Sequence, residues 1–471
     1  MTRARRSWFG DRPGNRAITQ AARSAAPAAR NRRKRPKLIA HETARLGIWL
    51  LPWKPHDGLG GAGREPLSER PPSSHDQPVL ASRPLRCGSR IAALAAHRPP
   101  DAPSMWSDPP ERGRKVLELA LCSLILLWVF AADVVRRDAF ATDFHYAFWP
   151  AARHVLEGTS PYSPIVDFGR LPFVYPASAA VLLSPFGLLP QPVADVLFTL
   201  LLAAATVLAL RLCRVRDWRC YGIALLWAPV FSAVQAANVT LLLALGLAAL
   251  WRLRDRTIAA AAIAALLVAV KIFLWPIIVW LAIRRGLRSA AVSVLLTVLI
   301  TVLSWSVIGF AGFRDYPNLV RLVERIEAPR SYSLVAIGLR LGLGHLGAMI
   351  LAFTVGGAVL FLAAVVARRE VDGRRSFVLT IGATILLSPV VWLHYFALLL
   401  VPVAILRPRF GPIWLVPLFL WPCPVMVSGP TWWSLAPFLA FGGALYLALR
   451  ASPPRRPRPS GLTPIPIVGA Q

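Results

Sequence analysis

Asp143 lies in a stretch, residues 138–176, that collects carboxylates, two histidines, two arginines and several aromatics directly after a long apolar run ends at Val135. A carboxylate just past a membrane helix is either a solvated loop acid or a base held at the water–lipid boundary. Other polar residues stand at turns between later apolar runs: Gln235 and Asn238, Lys271, and His394. Lys271 is flanked by Val268-Ala-Val270 and Ile272-Phe-Leu274. An ammonium there either snorkels to the interface or faces a wet cavity, where it would hold an anionic group such as a phosphate. His394 follows Leu387-Ser-Pro-Val-Val-Trp-Leu and precedes Tyr395, beside a proline-broken helix. It is either a structural histidine or part of the same polar site as Asp143. His145, Arg153, His154, Tyr162, Tyr175, Asp315, Arg330, Tyr332 and Ser333 are expected on that same side.

The chain lacks a Walker-type phosphate loop and a glycine fingerprint between strand and helix. Paired metal-binding motifs and a serine nucleophile elbow are also missing from it. No metal or cofactor is therefore expected, and an enzyme working at this boundary would take an activated donor that is itself lipid-borne. The cysteines at 87, 122, 213, 220 and 423 show no metal-ligand spacing. Cys213 and Cys220 flank a basic loop expected in the cytoplasm, where a disulfide does not persist.

The elements that must position these residues are membrane helices. The chain is 56% hydrophobic and only 16% charged, with long apolar runs from residue 117 to 449, the profile of a polytopic membrane protein. The net charge of +30 would suit nucleic acid, but its distribution excludes that reading. The charge sits in the two tails and in short loops between apolar runs, as the positive-inside rule requires. The first span is expected over 115–135, with Arg112, Arg114 and Lys115 holding its start in the cytoplasm. Basic loops follow at Arg211–Arg219, Arg252–Arg256, Arg284–Arg288, Arg368–Arg375 and Arg407–Arg409. An even number of crossings between neighbouring loops gives about twelve, with both ends inside and the loops 136–175 and 311–345 outside. Residues 176–189 are apolar but short and proline-broken, and read as a re-entrant or interfacial segment. The aromatics Phe144, Tyr146, Phe148 and Trp149 are expected to seat Asp143 as an interfacial helix with its apolar side in the lipid headgroups.

Residues 1–104 are rich in Arg, Pro, Ala, Ser and Gly, include the run Arg32-Arg33-Lys34-Arg35, and carry no sustained apolar period. They read as a disordered basic tail, not as a signal peptide. Met105 is the expected true start, with the tail a gene-model extension. The membrane domain is expected over 105–450 and a disordered cytoplasmic tail over 451–471.

Three motifs, in this order, resemble glycosyltransferase family 87. The first is Thr-Asp143-Phe-His-Tyr-Ala-Phe with Ala-Arg153-His-Val-Leu-Glu-Gly158-Thr-Ser-Pro161-Tyr162. The second is Phe173-Val-Tyr175-Pro176 with Leu-Leu-Ser-Pro185 and Leu-Leu-Pro190. The third is Leu-Leu-Ser388-Pro389-Val-Val-Trp392-Leu-His394-Tyr395. The resemblance covers roughly residues 115 to 450. Where family members carry Gly-Gln-x-Asn this chain has Val234-Gln-Ala-Ala-Asn238; Lys-Pro is Lys271-Ile272, and Asn-x-Ser-Leu is Ser331-Tyr-Ser333-Leu334.

The resemblance implies an all-α polytopic bundle of the C-type glycosyltransferase superfamily, with external interfacial helices. It implies inverting transfer of a sugar, mannose in the relatives, from a polyprenyl phosphate to a lipid or glycan hydroxyl on the external, periplasmic face of the plasma membrane. Asp143 would be the general base, and His394 would belong to the same site. Lys271, His394 and Arg330 are candidates for the leaving phosphate, and Tyr175, Gln235, Asn238, His145 and Ser333 for further substrate contacts. Direct displacement needs one base and stabilisation of the leaving group, rather than the two carboxylates of a hydrolase. A secondary transporter, or a polysaccharide polymerase or ligase using lipid-linked substrate, would share the span count. No inverted or parallel repeat supports the transporter, and the Asp143 motif straight after the first span disfavours the polymerase.

Overall fold

The computed structural model describes residues 140–162, 172–424, 427 and 431–450, together with scattered positions between 117 and 134, all of them helical. The tail over 1–104, most of the expected first span and the segment 451–471 lie outside the described residues. Regular structure among the described residues is entirely helical, as expected. A π-turn, Phe144–Phe148, leads into α1 (Trp149–Leu156). Then come α2 (Ala177–Leu183), α3 (Gln191–Leu212), α4 (Arg219–Leu226), α5 (Ala228–Gln235), α6 (Thr240–Leu253) and α7 (Thr257–Val270). They are followed by α8 (Pro276–Arg285), α9 (Leu287–Val307), α10 (Tyr316–Glu327), α11 (Leu334–Arg340), α12 (Gly344–Arg369), α13 (Arg374–Leu387), α14 (Leu400–Leu406) and α15 (Thr431–Arg450).

Among the described residues three helices, α3, α9 and α12, are long and apolar enough to cross a membrane. At about 1.5 Å per residue each exceeds the roughly 30 Å hydrocarbon core. The outer faces of α9 and α12 carry exposed Leu295, Leu299, Ile350 and Phe361. Carbon-rich surface of that extent is tolerated in lipid and not in water.

The other apolar helices are shorter, at 10–17 residues, and their interruptions have identifiable causes. The run 221–235 is split at Trp227, whose ψ of 127° breaks the ladder just before Pro229. Proline lacks the N–H that a continuous helix would need there. The run after α13 ends at Ser388-Pro389, and residues 389–392 stay non-helical before a 3₁₀ turn, Leu393–Leu399. Residues 177–188 form α2 and one 3₁₀ turn (Ser184–Leu188), about 18 Å of helix, well short of a span.

Several helices turn their basic ends to one place. The basic ends of α6, α8 and α12 meet: Arg285 Nε donates to the Arg254 carbonyl at 2.7 Å and Arg284 to those of Ala367 and Val371 at 3.1 and 2.7 Å. Asp217 accepts from the Phe410 N–H at 3.1 Å, joining the loops 211–219 and 407–410. The other ends of α6, α7 and α13 carry Asn238, Lys271 and the segment before His394. The arginine-rich loops are thus gathered away from the polar breaks.

The aromatic seat of Asp143 differs from expectation. Phe144 and Phe148 are fully buried in protein, not in lipid headgroups. Phe144 stacks on Phe198 of α3 at 4.3 Å and meets the edge of Phe186 at 5.7 Å. Only Tyr146 of this group faces outward. A π-turn rotates successive side chains less than an α-turn, so phenylalanines four apart share one face and both enter the core.

Candidate active site

The loop carrying Asp143 is stitched to the end of α5 by backbone. The N–H of Ala141 donates to the Gln235 carbonyl at 2.7 Å, and that of Asp143 to the Ala236 carbonyl at 2.9 Å. Ala141 and Ala237 on either side of this seam have φ of 52° and 50°. The left-handed conformation costs an alanine about 1–2 kcal/mol, so surrounding contacts must enforce it. Strain of this kind gathers where a side chain has to be aimed.

The aimed group is the Asp143 carboxylate. Its Oδ2 accepts from Asn238 Nδ2 at 2.5 Å. The Asn238 Oδ1 is occupied, accepting from the Thr240 N–H at 3.0 Å and the Thr240 hydroxyl at 2.7 Å. With the carbonyl end committed to the start of α6, the amide must present its N–H₂ to Asp143. The same Nδ2 lies 3.4 Å from the Tyr175 hydroxyl, to which Lys271 Nζ donates at 2.9 Å. Lys271 is held at the end of α7, where the backbone turns extended, and its ammonium lies over the rings of Tyr395 at 3.7 Å and Tyr175 at 4.6 Å. Such contacts contribute about 0.5–2 kcal/mol each. Asp143, Asn238, Tyr175 and Lys271 therefore form one connected polar chain.

A cavity of about 290 Å³ opens beside it, lined among others by Asp143, Asn238, Tyr175, Trp392, His394 and Glu327. Burial pushes the Asp143 carboxyl above the ordinary carboxylate range, while the Asn238 hydrogen bond and the Lys271 charge pull it back down. His394 is 7% exposed, and its Nε2 has no hydrogen-bond partner among the described residues. A buried polar atom left in that state costs about 1–3 kcal/mol, a deficit that a bound polar ligand removes. Among the described residues no three His, Cys, Asp or Glu side chains converge closely enough to hold a metal ion.

The remaining expected site residues are placed elsewhere. The ring of His145 pairs with Asp195 of α3, Nδ1 to Oδ2 at 2.7 Å, while Gln191 donates to the His145 carbonyl at 2.7 Å. Ser333 caps α11, its hydroxyl accepting from the Ala336 N–H at 3.0 Å. Gln235 is buried at the end of α5, where its carbonyl serves the seam to Ala141. Arg330 is exposed, with its carbonyl accepting from the Val427 N–H at 2.8 Å. None of these four lines the cavity.

Glu327 and Trp392 line it and were not among the expected site residues. A signal for Glu327 was present: Tyr316, Leu319, Val323 and Glu327 fall on one face of the strongly amphipathic α10. A carboxylate standing where the stripe calls for an apolar residue is such a signal. Trp392 carried none beyond its place in the third motif.

A model of glycosyltransferase family 87 matches residues 173–389. Over that segment the chain is similar to glycosyltransferase family 87. No curated protein and no solved structure matches it. The family 87 match takes in Tyr175, Asn238, Lys271 and Glu327; Asp143 precedes it and His394 follows it, and both line the cavity beside that segment. The family match and the apolar helices together point to a membrane glycosyltransferase.

Proposed function

We propose that this protein is a family 87 glycosyltransferase that moves a sugar, mannose, from a polyprenyl phosphate to a hydroxyl of a lipid or glycan at the external face of the plasma membrane, with inversion. About twelve crossings with both ends in the cytoplasm would put Asp143 on that face, and the gathering of arginine-rich ends away from it supports this orientation. The observation that carries the reading is the Asp143 carboxylate, held at one oxygen by Asn238 and lining a cavity of about 290 Å³ near a caged lysine.

Asp143 accepts the proton of the acceptor hydroxyl as its oxygen bonds to the anomeric carbon. The bond from that carbon to the phosphate oxygen breaks on the opposite face, and the lipid phosphate leaves with the electron pair. Lys271 supplies charge to the departing phosphate, and His394 supplies a hydrogen bond to it or to the sugar. Carboxylate geometry matters more than an unusual pKa, because general-base catalysis depends on placing the base within reach of one proton.

The test is incorporation of radiolabelled polyprenyl-phosphate mannose into lipid and glycan products by membranes with and without the protein. Asp143→Asn keeps size and the Asn238 contact but removes basicity, so turnover should fall by roughly 10²-fold or more. Near-wild-type turnover of that variant, expressed at normal level, would remove Asp143 from catalysis.

A further inference from the structure

A second carboxylate lines the cavity, and the transfer chemistry leaves it without a task. Glu327 is the last residue of α10, and it shares the cavity wall with Val323 one turn earlier. Its Oε2 is buried and has no hydrogen-bond partner among the described residues. Arg330, three residues on, acts on it through charge while its own side chain is exposed. One-base displacement is already supplied by Asp143, so Glu327 is not needed to take a proton.

We infer that Glu327 is a sugar-recognition residue, its carboxylate accepting hydrogen bonds from a ring hydroxyl of the transferred hexose. This rests on the donor reading above. A carboxylate presents two acceptor oxygens in a plane, which suits hydroxyl donors. The cavity, at about 290 Å³, is at the small end of ligand sites, closer to one sugar ring than to a whole glycolipid. Trp392, half-buried, lines it too, an aromatic side chain of the kind that packs on the C–H side of a pyranose. Recognition is then divided: Trp392 packs against the ring, Glu327 selects its hydroxyl pattern, and Asp143 works on the incoming acceptor. Because α10 is a separate amphipathic helix laid over the cavity, selection is placed on an element distinct from the one carrying the base. Its start is fixed by the Tyr316 hydroxyl donating to the Val174 carbonyl at 3.2 Å.

The experiment compares polyprenyl-phosphate mannose with its 2-, 3-, 4- and 6-deoxy analogues as donors for wild-type, Glu327→Gln and Glu327→Ala proteins in membranes. Each variant is scored by its own ratio of kcat/KM for parent over analogue, so a partly unfolded preparation cancels. A site built to bond a hydroxyl discriminates strongly against the analogue lacking it. For at least one analogue the wild-type ratio should therefore exceed that of both variants by 10-fold or more, as an enzyme–substrate double-mutant cycle. Ratios unchanged for all four analogues, with wild-type protein active on the parent donor, overturn the role of Glu327 and leave the donor reading intact. A wild-type protein that transfers mannose from no polyprenyl phosphate overturns the donor reading and this inference with it.

Discussion

At the scale of single residues, orientation of groups matters more than their number. Asn238 is committed to Thr240 through its carbonyl end, and this directs its amide at Asp143. The cavity walls raise the Asp143 pKa by burial, against Asn238 and Lys271. A base must be ionised to work, so activity is present above that pKa and lost as pH falls through it. The acid limb of kcat/KM should stand above the 3.8 of an ordinary aspartate. Glu327 titrates in the same cavity, its pKa also raised by burial against the Arg330 charge. The limb should therefore be read in a Glu327→Gln background, where a limb at the ordinary carboxylate position would show that burial does not act on Asp143. Lys271 contributes charge and one directed bond to Tyr175. Lys271→Gln should lower donor kcat/KM far more than Lys271→Arg, because charge is required and a bidentate fork is not. Equal activities of the three proteins would reduce Lys271 to a structural partner of the tyrosine rings.

At the scale of elements, the π-turn before α1 is the device that fixes Asp143. It is held from inside by Phe144 on Phe198 and from the side by the His145–Asp195 pair. Asp195 is 4% exposed, and only its Oδ2 is used; Oδ1 has no partner among the described residues. Asp195→Asn keeps the volume but removes the charge that steadies the ring, so the Asp143 loop should loosen. We expect kcat to fall by about 10-fold with donor KM little changed, since misplacement acts on the reacting geometry. Steady-state kinetics over donor concentration decide this; a rise in KM alone would mean that His145 serves binding instead. Residues 316–327, taken from the sequence as part of the loop 311–345, form an amphipathic helix with Glu327 on its apolar side. The cavity that makes this residue useful was not legible in the sequence, because its other walls come from 142–148, 172–175, 232–238 and 392–395.

At the scale of the whole molecule, the arginine distribution and the gathering of several basic helix ends lead to one topology prediction. Cysteines introduced at 160 and 325 should react with an impermeant maleimide in intact cells, and labelling only after lysis would reverse the orientation. The sequence by itself determined the helical class, the apolar character that points to a membrane, and the likeness to family 87. Hydropathy, charge placement and helix breakers are local properties and survive without coordinates. Tertiary structure alone decided which polar residues meet. It turned His145 to Asp195, gave Ser333 to a helix cap and Gln235 to a backbone seam, and brought Glu327 to the cavity. It also drew Phe144 and Phe148 into protein where lipid had been expected. Both sets of outcomes have the same cause. A side chain's direction depends on the phase of its helix and on neighbours far away in sequence, and a single π-turn or proline break resets that phase.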